Sequence, residues 1–121
     1  RRRALAALYA SLLAGIPGIT PPEEPIGMRS NWQSYAIRVD QALDRDALVR
    51  HLNARGIGAQ GGVMNVHEET PYREAPRPHP LVASEAARAR SLLLPLFPQL
   101  EEDEVRFVVE VLAEGVASQD N

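Results

Sequence analysis

Between Leu43 and Ile57 the chain reads LDRDALVRHLNARGI, a helix with both ends marked. Asp44 can accept from the free amides of the first turn, and Leu43 before it can staple onto Leu48. At the far end Gly56 can take the left-handed conformation, letting Ile57 fold back on Leu52 in a Schellman-type stop. Gly56, Gly58 and Gly61 spell G-x-G-x-x-G. A dinucleotide loop, however, needs its first glycine after a strand and its last at the start of a helix. Here the order is reversed, so the glycines belong to a helix exit followed by a short strand and bend over Gly58 to Met64.

The flanking segments extend this frame. Leu5, Leu8, Tyr9, Leu12 and Leu13 recur at helical spacing until Gly15 and Pro17 stop the pattern. Residues Ile16 to Arg29, rich in Pro and Gly, read as a loop. The stretch WQSYAIRV alternates, with Tyr35, Ile37 and Val39 on one side, as in a half-buried strand. Pro71 to Pro80 is irregular and Leu81 to Ser91 is helical. The run LLLPLF from Leu92 reads as a fully buried short strand ended by Pro95. Glu101 to Glu104 suit the positive end of a last helix whose buried stripe is Val105, Val108, Val109 and Leu112. The expectation is one α/β domain of α+β type over residues 1–121: a small, largely antiparallel sheet of about three strands, with helices packed on one face.

Several chemistries are excluded by residue type. There is no cysteine, hence no disulfide or thiolate metal site, and the chain suits a reducing cytosol. All 13 basic residues are arginine, so no side-chain amine can condense with an aldehyde and no P-loop lysine exists. HEETP supplies His67 and Glu68 but puts Pro71 where the second histidine of a zinc motif should stand. No serine has a nucleophile-elbow setting. Adjacent acids such as Glu68 and Glu69 point apart and read as solvated surface. A net charge of -3, with Arg1 to Arg3 as the one basic cluster, argues against a nucleic-acid partner. No apolar run approaches the roughly 20 residues that span a bilayer, and no secretory leader is read. The residues alone describe a soluble domain with no catalytic residue and no metal site. Because it opens inside a helical pattern without Met, the chain is expected to be a piece of something longer.

The ordered series RRRALAALYASLL, SNWQSYAIRV, LDRDALVRHLNARGIGAQGGVMNVHEETPYR and LLLPLFPQLEEDEVRFVVEVL resembles the C-terminal small domain of DegT/StrS-type aminotransferases. These are fold type I, pyridoxal-phosphate enzymes that mostly aminate nucleotide-linked keto sugars. The most specific stretches are GIGAQGGVMNVHEETPYR and LLLPLFPQLEEDEV. The resemblance implies pyridoxal 5'-phosphate in the intact enzyme, with its lysine and most phosphate contacts on a preceding large domain, glutamate as amino donor, and a cytoplasmic location. It implies that this chain alone binds no cofactor, is inactive, and supplies one wall of the sugar cleft. On that basis His67, Asn31 and Trp32 are candidate substrate-binding residues. The chain departs from the family at Gln60 and Gly61, where basic residues are frequent, and at Gln33, where His is common.

Two other functions are open to the same residues. One is a stand-alone, non-catalytic ligand-binding module. The other is a protein-interaction domain that self-associates through Leu5, Leu8 and Leu12 of helix one, each worth roughly 1.5 to 3 kcal/mol when buried.

Overall fold

The computed structural model describes residues 1–120. Helix α1 (Arg2–Leu13) leads to β1 (Ile19–Thr20) and β2 (Tyr35–Val39), then α2 (Arg45–Ala54) and β3 (Gln60–Gly61). Two single 3-10 turns, Val66–Glu68 and Thr70–Tyr72, precede α3 (Val82–Arg90), β4 (Ser91–Leu94) and α4 (Glu102–Ala117). The strands form one antiparallel sheet in the order β1-β2-β4-β3.

The local rules act as the sequence implies. Asp44 Oδ1 accepts from the Ala47 amide at 2.9 Å. At the other end of α2 the Ile57 amide donates to Leu52 O and the Gly56 amide to Asn53 O, the paired bonds of a Schellman stop, with Gly56 at φ +77°. In α4 Glu101 and Glu104 close a reciprocal capping box, and Val105, Val108, Val109 and Leu112 are buried as expected.

Each strand buries alternate residues. Tyr35, Ile37 and Val39 on β2, with Leu92 and Leu94 on β4, face the core. Helices α1, α2 and α4 cover that inner face, α4 lying against both others. The outer face carries the residues between: Ala36 pairs with Leu93 and Arg38 with Ser91, while Gln60 pairs with Leu93 from the other side. Helix α3 has no buried residue. It flanks the outer face across an open cleft.

Four boundaries differ from the sequence expectations. Residues Ile16 to Arg29 are not all loop, since Ile19 and Thr20 pair with Val39 and Arg38 as β1; a two-residue strand has no periodicity to detect. Trp32 is outside β2, because its φ of 51° breaks the extended run. The strand expected within Gly58 to Met64 shrinks to Gln60–Gly61. The LLLPLF strand is buried on one side only, as Leu93 is part-buried on the outer face, where the flanking α3 buries no residue. The stripe on α1 is turned inward: Leu5 is buried, and Leu8 and Leu12 pack partly buried against the same core.

Candidate functional site

The outer face of the sheet carries open hollows. At one end is a hollow of about 380 Å³, with Gln33, Ser34, Gln60, Leu93 and Leu96 among its walls. No lining side chain carries a charge at neutral pH, so the hollow offers amides, a hydroxyl and apolar carbon. Gln60 is held by its neighbours. Asn53 grips the Ala59 backbone twice, Nδ2 donating to its carbonyl at 3.1 Å and Oδ1 accepting from its amide at 3.0 Å. Gly61, on the other flank, leaves room for the Arg45 guanidinium, into which any β-carbon would run. Arg45 Nη1 in turn donates to Ser91 O at 2.9 Å, so β3 is tied to α2 and β4 together.

Asn31 and Trp32 lead directly into this hollow. The Trp32 amide donates to Ser30 Oγ and the Gln33 amide to Asn31 Oδ1, each at 3.0 Å. These two side-chain turns hold Trp32 in the left-handed region at a cost of roughly 1 to 2 kcal/mol. Its ring compensates by packing: half-buried, it lies 5.8 Å from Tyr35, which stacks on Tyr9. Burial pushes the Tyr35 hydroxyl up to about 12, and burial, with Tyr35 and Glu104 beside it, raises Tyr9 as well. The neck of the preceding loop is pinned to α1, since Glu24 accepts from Arg3 and from the Ser30 amide. Those two bonds hold the Glu24 carboxyl below its ordinary range.

His67 stands apart from this pair. Its Nε2 lies 3.2 Å from Glu85 Oε1 on α3, and its side chain is 14% exposed. Arg77 donates to the His67 carbonyl and pairs with the same Glu85. Asn65, buried to 5% exposure, donates to Glu68 and to Ser84 O of α3, while Arg88 pairs with Glu68 and Glu69. The Glu69 bond raises the Arg88 guanidinium further above its ordinary value. Segment 65–77 and α3 are therefore joined by polar bonds. Among the described residues, no hydrogen bond or ring contact joins His67 to Asn31 or Trp32. Sequence reasoning noted Gln33 and Gln60 only as departures from a pattern. Spacing cannot show that residues on β3 and before β2 line one hollow across β4.

The pattern described as the DegT/DnrJ/EryC1/StrS aminotransferase family matches residues 1–113. The dTDP-3-amino-3,4,6-trideoxy-alpha-D-glucose transaminase of Streptomyces venezuelae is 36% identical over 116 residues. That match covers 94% of this chain and 30% of the relative. The structure of S. venezuelae DesV in complex with a ketimine intermediate superposes with a TM-score of 0.82 at 36% identity, over 96% of this chain and 31% of DesV. The aminotransferase TlmJ from Streptoalloteichus hindustanus gives a TM-score of 0.87 at 29% identity, over 99% of this chain and 32% of TlmJ. The chain thus spans about 30% of the length of the curated relative it matches.

Proposed function

Because this chain belongs to the DegT/DnrJ/EryC1/StrS aminotransferase family, we propose that it is the C-terminal small domain of a cytoplasmic, pyridoxal-phosphate-dependent enzyme that aminates nucleotide-linked keto sugars. Its part is to form one wall of the substrate cleft. The observation that carries this is the loosely covered outer face. Three helices spend their apolar surfaces on the inner side of the sheet, while the outer side has only α3, which buries no residue, and Ala36 and Gln60 stay exposed there. A two-layer domain with one open sheet face has room for a second body there, and a missing large domain fits it.

The residues of this chain do not fit attachment of the cofactor. Pyridoxal phosphate, when bound, supplies an electron sink for amino transfer, but every basic side chain here is arginine. The isolated chain is inactive on this proposal, and its residues act on the substrate by shape and hydrogen bonding. Asn31 and Trp32 reach the substrate at the rim of the Gln33 and Gln60 hollow. His67 contributes by positioning α3 through Glu85.

The lack of cysteine makes a single introduced thiol a clean probe. Gln60→Cys in the isolated chain should label quickly with a soluble maleimide. Grafted in place of the matching segment of the S. venezuelae transaminase, the same variant should label slowly and regain speed on partial unfolding. A folded graft whose thiol stays as reactive as in the isolated chain would overturn the proposal.

A further inference from the structure

Residues 63–90 leave the sheet and return to it at one point. The chain departs from β3 at Gly62 and rejoins β4 at Ser91, where the Gly62 amide donates to Ser91 O at 3.2 Å. Arg45 pins that same carbonyl to α2. Between these residues lie both 3-10 turns and α3, and none of their apolar side chains joins the buried core. Their polar bonds point inward instead: Glu85 pairs with His67 and Arg77, and Arg88 with Glu68 and Glu69. Among the described residues, a single side-chain hydrogen bond leaves this body, from Arg90 Nη2 to Gln41 Oε1 at 2.6 Å.

Beneath α3 there is room. Ala83, Ala86 and Ala87 share one face of the helix, turned toward Ala36 of β2 across a cleft of about 370 Å³. Close-packed interiors hold few voids larger than a water molecule, so facing methyl groups held this far apart have a tighter packing available to them. A body tied within itself by polar bonds, and to the core by few apolar contacts, is the kind of unit that moves independently of the rest.

We propose that residues 63–90 form a lid that swings as one body about the Gly62–Ser91 neck, closing the alanine face of α3 onto Ala36. The Arg90–Gln41 bond sets its angle. That bond lies at the neck end of α3, so the eight residues back to Val82 make a lever of about 12 Å. The lid controls access to the outer face of the sheet, and the inference does not depend on the function proposed above.

The test uses paired spin labels on introduced cysteines in the 121-residue chain, which has none of its own. One pair, Val82→Cys with Glu110→Cys, spans the sheet from α3 to α4 at two exposed positions. The other, Tyr72→Cys with Val82→Cys, lies within the lid at exposed positions. Pulsed and continuous-wave electron paramagnetic resonance give the distances. Gln41 is exposed in a turn, so substitution there spares the core. Gln41→Ala should broaden the lid-to-α4 distances and shift them to longer values, leaving the pair within the lid unchanged. Gln41→Glu, which makes the bond to Arg90 charge-assisted, should narrow the lid-to-α4 distribution. A change in both pairs would show that the segment deforms instead of swinging, and lid-to-α4 distances alike in the parent and both Gln41 variants would overturn the lid.

Discussion

Tyr9 of α1 and Tyr35 of β2 stack with ring centroids 4.8 Å apart and planes 25° from parallel. Both side chains are fully buried, yet their hydroxyls have opposite fates. Tyr9 Oη donates to Pro95 O at 2.9 Å. Tyr35 Oη is buried with no partner among the described residues. Removing Tyr9 Oη leaves the part-buried Pro95 carbonyl without this donor, and Tyr9→Phe should cost about 1 kcal/mol. Tyr35→Phe removes an unsatisfied group and should be neutral or stabilising. Urea unfolding of the two variants reads the difference directly, and a larger loss for Tyr35→Phe would refute the assignment.

Alkaline titration probes the same pair. A tyrosine whose folded value is raised contributes stability that is complete below its unfolded value of 10.0 and disappears as pH climbs to about 12. Unfolding free energy should therefore fall between pH 10 and 12. The fall should be shallower in Tyr35→Phe, and parallel curves for parent and variant would count against burial as the cause.

The ends of α2 should respond as separate units. Asp44→Ala loses the bond to the Ala47 amide and should destabilise by about 1 kcal/mol, with Asp44→Asn recovering most of it. At Gly56 an added methyl meets nothing within 4 Å, so Gly56→Ala should cost only the left-handed backbone penalty, about 1 to 2 kcal/mol. Thermal melts of both variants and of the double variant should be additive within about 0.5 kcal/mol.

Segment 65–77 and α3 should loosen without unfolding the core. Asn65→Ala deletes the bonds to Glu68 and Ser84, and His67→Ala deletes the contact to Glu85. Faster amide exchange is expected over α3 in both, with exchange in α1 and α4 unchanged. Uniform acceleration across the chain would show that the polar ties hold the whole fold instead.

The helix exits, the caps and the one-sided alternation of β2 were legible because neighbours in sequence enforce them. Asp44 needs only the next turn, and Gly56 needs only the preceding one. The resemblance to an aminotransferase small domain was legible too, carried by motifs in order along the chain. The two-residue β1 was not, since Ile19 and Thr20 are strand only by virtue of the β2 edge they pair with. Nor was the separation of His67 from Trp32: both were read as cleft residues, and only the packed chain assigns His67 to α3.

What the amino-acid order determined by itself was therefore local: where helices stop, which residues alternate, and which chemistry is absent because no lysine or cysteine is available. Tertiary structure alone decided which face of the sheet the three long-range helices cover, that Gln33 and Gln60 border one hollow, and that Arg38 and the alanines of α3 line another. Backbone hydrogen bonds and side-chain periods act over a few residues. The side of the sheet left loosely covered depends on how three distant helices divide one buried surface among them.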